Sequence, residues 1–344
     1  MKKNIQPIRF PRDAQKHKTA VEWWYFNGNL KDAFGKKYSF MNCLFQVDPR
    51  KIHISFLTLP ISHKIFFAHE TLCDIHKKTT FKNIQPISIV SGDSFTRPLL
   101  YINYFSALDI KNKYINNEIA ETSTFHFHVK TEHLDLSLRA NKKPLLENGT
   151  GYIFSRNKGS YYYSLTDLSV QGTIRIQNKW IPVEGKAWMD HQWANTRHNK
   201  DEWNWFSFQL ENGTDIMCVE YNNNGTKEYE ADIIDAHGKQ THTKNVRIVP
   251  QKKLWRSKKT GASYPLTWHI TIPEEQIQLS TQALLSNQEI IFGDINYWEG
   301  PLRAQGTIKG KKVQGVGFME LVRYHNYLKA LGKEIGKSIH KLGL

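Results

Sequence analysis

Cysteine and long apolar runs are both scarce in this sequence of 344 residues. Its 3 cysteines, Cys43, Cys73 and Cys218, lie far apart and form no Cys-x-x-Cys pair, which argues against a disulfide framework and a cysteine zinc site. No run reaches the roughly 18 apolar residues that a membrane-spanning helix needs. A Gly-x-Ser-x-Gly elbow, a phosphate-binding loop and a dinucleotide fingerprint are also missing, so no pattern predicts a serine esterase or a nucleotide-binding enzyme.

The amino terminus, MKKNIQPIRFPRD, is basic but lacks the apolar stretch of a secretory signal. We therefore expect a cytoplasmic protein if the chain is full length, and a periplasmic or secreted one if a signal peptide has been removed. The sequence leaves both locations open.

The chain is strongly basic, with 47 Lys and Arg against 32 Asp and Glu and a formal charge of +15. Such a charge suits nucleic acid, a membrane surface or an acidic partner. Here the basic residues are mostly scattered lysines rather than a block, so the charge is interpreted as an aid to solubility. No nucleic-acid partner is predicted.

Apolar and polar residues alternate along most of the sequence, which predicts β-strands. Aromatic residues, at 12%, also favour β-structure. Strands are predicted at 37–47, 124–130, 133–140, 161–176, 203–210, 215–221, 267–272 and 303–310. Gly, Asn and Asp clusters separate them, so the sequence predicts an all-β, antiparallel protein.

One segment has helical periodicity. Between Leu321 and Leu342, apolar residues recur every three or four positions, and a stripe of lysines follows another face. This predicts an amphipathic C-terminal helix. Its basic face is interpreted as a solvated face of a helix packed on a barrel, with peripheral contact to a membrane surface as the alternative.

An internal repeat suggests the architecture. EWWYF at 22–26 matches EWNWF at 202–206, and QGTI at 171–174 recurs at 305–308. GKAWMD and GVGFMEL follow the two QGTI segments, so that Asp190 aligns with Glu320. The chain therefore resembles two copies of one β-unit. We predict two tandem antiparallel barrels of the lipocalin kind, over residues 1–195 and 196–344, each wide enough to hold one apolar ligand.

Four segments carry a family resemblance: VEWWYFNGNL, YYYSLTDLSVQGTI, GKAWMDHQWA and YWEGPLRAQGTIKGKKVQGVGFMEL. In these, the chain resembles the AttH-like and CrtC-like family, which includes carotenoid 1,2-hydratases (hydroxyneurosporene synthases), predicted secreted hydrolases and lipocalin-like Diels–Alderases. The resemblance covers nearly the whole chain and implies two tandem lipocalin-like domains. In the hydratases a His-x-Trp pair and a later Tyr-x-Asp pair are implicated. The first matches His191 and Trp193, whereas Cys218 and Glu220 replace the second pair.

Hydration of an alkene needs an acid, a water molecule and a surface that stabilises a cation. A carboxyl group serves as the acid only if burial keeps it protonated near neutral pH, and tryptophan faces stabilise the cation. The predicted catalytic residues are Asp190, His191, Trp193 and Glu220; the predicted substrate-binding residues are Trp24, Tyr162, Trp188, Trp205 and Trp298. Alternation along a strand places Asp190 and His191 on opposite faces. Neither a cofactor nor a metal is expected, since His126 and His128 have no third ligand nearby.

Each candidate also has a structural interpretation. Asp190 and His191 could be buried, hydrogen-bonded residues at the domain junction. Glu22 is repeated as Glu202, which favours a structural role, with Arg303 as a suggested partner.

Two classes of function stay open. One is a cofactor-free enzyme acting on a hydrophobic isoprenoid or polyketide-like substrate, by acid-assisted hydration or by confined cyclisation. The other is a carrier of a hydrophobic small molecule without catalysis. Acids enclosed among apolar groups would favour the enzyme, whereas acids that face solvent or pair with Lys and Arg would favour the carrier.

Overall fold

The computed structural model describes residues 5–48, 50, 64–93, 99–107, 117–155, 158–195, 202–223, 225–292 and 295–322. Over these residues the secondary structure is β-strands and three short 3-10 turns, Arg12–Ala14, Glu147–Gly149 and Pro273–Glu275. The all-β prediction is confirmed. Among the described residues no helix could cross a membrane.

The strands of the first half are β1 Val21–Lys31, β2 Lys37–Val47, β3 Ile65–Asp74, β4 Thr79–Asp93, β5 Tyr101–Ser106, β6 Asn117–Ser123, β7 His126–Lys130, β8 Leu134–Ala140, β9 Leu145–Leu146, β10 Tyr152–Ser155, β11 Lys158–Ile176 and β12 Lys179–Ala194. The strands of the second half are β13 Glu202–Leu210, β14 Asp215–Asn223, β15 Thr226–Ile234, β16 Gln240–Thr243, β17 Arg247–Pro250, β18 Leu254–Arg256, β19 Ser263–Pro265, β20 Thr267–Ile272, β21 Ile277–Ala283, β22 Glu289–Phe292, β23 Ile295–Ile308 and β24 Lys311–Val322.

The first sheet closes into a barrel of ten strands, in the order β11, β12, β1, β2, β3, β4, β5, β6, β7 and β8. Closure depends on the length of β11. Its second part pairs with β8, from Leu168 opposite Ala140 to Ile174 opposite Leu134, whereas its first part pairs with β9 and β10. The other edge of β11 pairs with β12, with a register shift after Leu165, so the single strand β11 joins both ends of the closed sheet.

The second sheet is curled but open, so the prediction of a second closed barrel is wrong. Its strand order runs from β16 through β15, β14, β13, β24, β23, β21 and β20 to β17, and the described residues contain no pairing between β16 and β17. Both edge strands are only four residues long. Next to that gap, Thr243 donates a hydrogen bond to Glu274, and Pro250 in β17 lacks the N–H that a ladder needs.

The repeated sequence segments form equivalent strand pairs in the two sheets. Phe26 lies opposite Met189 in the first sheet, and the matching residues Phe206 and Met319 lie opposite each other in the second. The two QGTI segments likewise lie on equivalent strands, β11 and β23. The two halves therefore share a register, although only the first closes.

The predicted C-terminal helix lies almost wholly outside the described residues. Its first two positions, Leu321 and Val322, instead end strand β24, where Leu321 lies opposite Asn204 and Trp298. For these two positions the prediction is wrong, because both side chains are buried as part of a strand.

The three largest apolar clusters organise the molecule. One fills the first barrel and another lines the inner face of the second sheet. A third, which we call the inter-sheet cluster, joins residues of both sheets: Tyr25, Met41, Cys43, Ile153, Tyr162, Trp188, Trp205, Met217, Val219, Ile290, Tyr297, Phe318 and Val322. The predicted domain boundary falls between β12 and β13 and stays a prediction.

Candidate functional site

Strand β12 presents neighbouring side chains to opposite sides of the first sheet. Trp188 and Asp190 face the inter-sheet cluster, where Tyr162 contacts Asp190. His191 and Trp193 lie on the barrel side, where His191 contacts Glu22. The predicted separation of Asp190 from His191 is confirmed. Each is buried and hydrogen-bonded, but to different partners.

The buried carboxylate of Asp190 accepts three hydrogen bonds. Its Oδ1 accepts from Trp188 Nε1 and Ser164 Oγ, each at 2.6 Å, and its Oδ2 accepts from Tyr162 Oη at 2.8 Å. The tyrosine hydroxyl itself accepts from Trp205 Nε1 at 3.1 Å. Burial raises the pKa of Asp190 to about 6 against the opposing effect of the three donors. This carboxyl group can therefore both give and take a proton near neutral pH.

Ser164 links Asp190 to a second buried acid, Glu147. Its Oγ lies 2.6 Å from Asp190 Oδ1 and 2.6 Å from Glu147 Oε1. One hydroxyl hydrogen serves only one acceptor, so one of the two carboxyl groups must carry a proton and donate to Ser164. Burial, and then the charge of Asp232, raise the pKa of Glu147 well above its usual range. Glu147 is thus the proton-bearing member.

A further pair of acids lies across the cluster, on the second sheet. Glu299 of β23 lies directly opposite Glu320 of β24. Glu299 Oε1 accepts from Tyr25 Oη of the first sheet at 2.8 Å, and Glu320 Oε1 accepts from Trp203 Nε1 at 2.8 Å.

These two acids differ in protonation and in exposure. Burial, and then the charge of Glu320, raise the pKa of Glu299 well above its usual range, whereas burial raises the pKa of Glu320 to about 7. The charge of Asp190 contributes to both. Because Glu320 and Trp203 are only half-buried, this group of residues extends from the surface to the buried Asp190.

Three of the five predicted substrate-binding residues lie together beside these acids. Trp205 is edge-on to Trp188, with ring centres 6.2 Å apart, and also to Tyr25, at 5.8 Å. Tyr162 belongs to the same cluster. Trp24 lies instead inside the barrel, and Trp298 belongs to the core of the second sheet and donates to the Ser286 carbonyl. We call Asp190, Glu299, Glu320 and the aromatic rings around them the inter-sheet acid site.

Inside the barrel, His191 bridges Tyr163 and Glu22. His191 Nε2 lies 2.9 Å from Glu22 Oε1, and Nδ1 lies 3.3 Å from Tyr163 Oη. Burial alone would raise the pKa of Glu22, but hydrogen bonds from His17 and His191 lower it overall. Burial lowers the pKa of His191, with Glu22 opposing. We assign the ring proton to Nε2, which leaves Nδ1 as acceptor of the tyrosine hydroxyl.

The suggested pairing of Glu22 with Arg303 is wrong, because Arg303 lies on the second sheet and donates to Gln282. Glu22 accepts instead from His17, through its backbone N–H and its Nδ1, the latter at 2.7 Å. Gln46 Nε2 donates to Glu22 at 2.9 Å, and Trp193 stacks on His17 with ring centres 4.0 Å apart.

Metal-ligating atoms converge at one place among the described residues. His17, Glu22 and His191 each offer an atom within 4.8 Å of the others. We call these three residues the barrel histidine site. His126 and His128, considered from the sequence, lie on a partly exposed strand face, where His128 contacts Glu118 and Asp135.

Glu220 does not join either site. It accepts from Asn204 Nδ2 at 2.9 Å and pairs with Lys227 at 3.1 Å, and Cys218 two positions earlier belongs to the core of the second sheet. The four predicted catalytic residues are therefore divided over three places, because alternation separates Asp190 from His191 and Glu220 belongs to the other sheet.

The sequence analysis missed three residues that the fold brings to these sites: Glu147, Glu320 and His17. A signal existed for Glu320, since the repeat aligns it with Asp190. For Glu299, which follows Trp298 in the segment DINYWEGPL, the sequence predicts packing at a barrel mouth, with ligand contact as the alternative. No pattern marks Glu147 or His17, because each precedes a strand and contacts residues distant in sequence, as His17 does with Trp193.

Comparisons with known proteins agree with this fold. A family model described as AttH-like matches residues 2–324. The crystal structure of a protein assigned as AttH from Nitrosomonas europaea superposes with a TM-score of 0.76 at 23% identity, covering 93% of this chain and 98% of that one. Kievitone hydratase from Nectria haematococca gives a TM-score of 0.72 at 17% identity, covering 93% of this chain and 94% of that one.

Two curated relatives are similar in sequence. Dehydratase asqC of Emericella nidulans is 23% identical over 206 residues, 55% of this chain. Kievitone hydratase of Fusarium solani subsp. phaseoli is also 23% identical over 206 residues, 56% of this chain. The match spans 57% of the length of each relative. Both names are those of enzymes that add or remove water. From the family match and the fold, this chain belongs to the AttH-like family.

Proposed function

We propose that this protein is a hydratase-type enzyme that adds water to, or removes it from, a carbon–carbon double bond of a hydrophobic substrate held at the inter-sheet acid site. The observation that carries the proposal is Asp190, a buried carboxyl group among aromatic rings whose pKa is raised to about 6. The names of the relatives, a hydratase and a dehydratase, support the same reaction class.

The acids of the site differ in protonation as such a reaction requires. In the dehydration direction, protonated Glu299 gives its proton to the leaving hydroxyl group, and the carbon–oxygen bond breaks to release water. Asp190 takes a proton from the neighbouring carbon, whose electron pair forms the double bond. Hydration is the reverse: protonated Asp190 gives its proton to carbon, and Glu299 accepts one from the attacking water.

The surrounding rings supply stabilisation for positive charge on carbon. A cation over the face of an indole or phenol gains about 0.5–2 kcal/mol per ring. Trp188, Trp205 and Tyr25 meet edge to face next to Asp190 and Glu299. A tertiary carbocation of an isoprenoid or polyketide-like substrate fits this chemistry, so such substrates are the proposed class.

The contacts of the acids favour an enzyme over a carrier. The described partners of Asp190, Glu299 and Glu320 are hydroxyl and indole groups and, for the two glutamates, each other's carboxyl group. Asp215, by contrast, is bound by Lys142 at 2.7 Å, as a structural acid would be. Desolvating a carboxyl group without a cationic partner is costly, which is typical of functional sites.

The test is a comparison of Asp190→Asn with wild type. Kievitone and a panel of isoprenoid and polyketide alkenes are incubated with each protein in water labelled with heavy oxygen, and products are followed by mass spectrometry. We expect wild type to form a product that gains one labelled water. Asp190→Asn should lose this turnover and keep ligand binding, measured by quenching of tryptophan fluorescence.

Asp167→Asn is the matched control, since it removes an acid from the adjacent strand β11 that pairs with Lys186 at 3.1 Å. It should retain turnover. Unchanged hydration in Asp190→Asn would contradict the acid mechanism. Unlabelled, cyclised products in both proteins would indicate confined cyclisation, and binding without any product would indicate a carrier.

A further inference from the structure

We propose that His17, Glu22 and His191 form a binding site for one divalent metal ion of the zinc type inside the first barrel, because three ligating atoms from distant parts of the chain converge there. This site lies on the other side of β12 from the inter-sheet acid site, and the inference is independent of the proposed reaction.

The ligand atoms are His17 Nδ1, Glu22 Oε1 and His191 Nε2. The two ring nitrogens lie 2.7 and 2.9 Å from the same carboxylate oxygen, and all three atoms lie within 4.8 Å of one another. A tetrahedral zinc ion with bonds of about 2.0–2.1 Å holds its ligands about 3.3 Å apart. To admit the ion, each nitrogen would move about half an ångström away from the carboxylate oxygen, and the two nitrogens, which lie within 4.8 Å of each other, would approach by up to roughly 1.5 Å.

Each ligand also has a partner that orients it, as metal ligands require. The free ring nitrogen of His17, Nε2, lies 3.5 Å from Asp13 Oδ1. The free nitrogen of His191, Nδ1, lies 3.3 Å from the Tyr163 hydroxyl. Binding of an ion at Nε2 of His191 requires its ring proton to move from Nε2 to Nδ1, where the Tyr163 hydroxyl oxygen would accept it; the ring proton of His17 would lie on Nε2, facing Asp13.

Hydrogen bonds also hold Glu22, the third ligand, and the backbone of His17. Gln46 donates to the second oxygen of Glu22, Oε2, at 2.9 Å. Lys64 holds the backbone of His17 by donating to its carbonyl oxygen at 2.6 Å. Trp193 covers the imidazole of His17 in a stacked arrangement with an interplanar angle of 5°.

The donor set selects the ion. Two imidazoles and one carboxylate suit zinc and its transition-metal neighbours, whereas calcium and magnesium prefer an all-oxygen shell. Three protein ligands leave a fourth position for water or another small ligand. Because His17 precedes the barrel and His191 lies on its wall, the ion would fasten the amino-terminal segment to the barrel.

The site is invisible in the sequence, where no metal was expected. Glu22 follows His17 by five positions, but His191 lies 169 residues beyond Glu22. Only closure of β1 against β12 brings them together.

The test is binding of zinc ions to the full chain after treatment with a chelator. Isothermal titration with zinc chloride should show one ion bound per chain, and bound metal should be counted by elemental analysis after desalting. His17→Ala and Glu22→Gln should each weaken binding by at least tenfold. His126→Ala, which removes a histidine from a partly exposed strand, should bind as wild type does.

Zinc should also raise the melting temperature of wild type and of His126→Ala, but not of His17→Ala, because a ligand of the folded state stabilises it. Circular dichroism of each variant establishes that it is folded. If stripped wild type takes up no zinc, or if His17→Ala binds as tightly as wild type, the three residues are a hydrogen-bonded cluster only and the proposal is overturned.

Discussion

Asp190 illustrates how much one side chain depends on its three neighbours. Trp188, Ser164 and Tyr162 hold the carboxylate by hydrogen bonds and oppose the effect of burial on its pKa. The sequence identified Asp190 as an acid among tryptophans. It could not identify Ser164 and Glu147, since their contacts arise from folding of β9, β11 and the turn between Glu147 and Gly149.

The first prediction concerns stability and pH. The pKa of Asp190 is about 6 in the folded protein and 3.8 in an ordinary aspartate, so between these values the folded state binds more protons and the free energy of unfolding falls as pH rises. One pKa unit corresponds to about 1.4 kcal/mol. Asp190→Asn should therefore gain about 3 kcal/mol relative to wild type on going from about pH 4 to about pH 7.

Urea unfolding of both proteins at the two pH values measures this difference. Glu211→Gln removes an exposed acid and serves as the control, with no comparable change. A constant difference between Asp190→Asn and wild type across the range would contradict the raised pKa.

The second prediction concerns Ser164. Its replacement by alanine removes one donor to the Asp190 carboxylate, worth about 1.5–3 kcal/mol, or roughly one to two pKa units. The titration midpoint of Asp190, followed by carbon NMR of labelled aspartate, should move upward by that amount. Ser164→Thr keeps the hydroxyl group and should leave the midpoint near that of wild type. A midpoint that falls or stays fixed in Ser164→Ala would show that Ser164 does not stabilise the carboxylate.

At the scale of strands, the repeat was predictable because it depends on local pattern. Gly185 and Gly315 align in the sequence, and in the structure each lies close to a carbonyl oxygen of the adjacent strand. A Cβ atom would lie 2.2 Å from Asn29 O at Gly185 and 2.3 Å from Gln209 O at Gly315. These glycines therefore permit close approach of the strands in both halves.

The third prediction follows from that contact. Gly185→Ala and Gly315→Ala force the backbone of paired strands apart, and each should lower the free energy of unfolding by about 1–3 kcal/mol. Gly310→Asn is the control: a turn position with φ of 75° and open space around it, where asparagine is tolerated. Denaturant titration of the three variants compares them. Equal free energies of unfolding for all three variants would show that these glycines are not needed for close approach of the strands.

Whether the second sheet closes into a barrel could not be predicted from local pattern. Alternation predicts β20 and β14 well, but the pairing of β16 and β17 would depend on four-residue edges whose pattern is the same in a closed or an open sheet. The same limit applies to Glu299 and Glu320. Their position next to Asp190 results from how two sheets pack, which no local pattern encodes.

For the molecule as a whole, hydrogen bonds across the inter-sheet cluster join the two halves. His69 Nδ1 of the first sheet lies 2.5 Å from Tyr297 Oη of the second, and burial lowers the pKa of His69 to about 3. The neutral ring therefore accepts the tyrosine hydroxyl. Gln209 of the second sheet donates to two carbonyl oxygens of the first, those of Thr166 and Ala187.

The fourth prediction is that both halves unfold together. Tyr297→Phe leaves the buried His69 without its donor, which costs about 1–3 kcal/mol. Calorimetry should show one transition in wild type and one transition at lower temperature in Tyr297→Phe. Tyr161→Phe, whose hydroxyl is exposed and accepts from the Gln6 N–H, should melt as wild type does. Two separate transitions, with only one shifted, would instead indicate independent halves that correspond to the predicted domains.

Strand β12 contributes side chains to both the inter-sheet acid site and the barrel histidine site, and this limits which mutations the protein tolerates. An insertion of one residue ahead of Met189 would exchange the directions of the two side chains that follow, turning an imidazole toward the neighbouring sheet and a carboxyl group into the barrel. A single insertion would therefore disrupt both the inter-sheet acid site and the barrel histidine site. Variation in this family should therefore accumulate as substitutions along β12, while changes of length are confined to the turns at its ends.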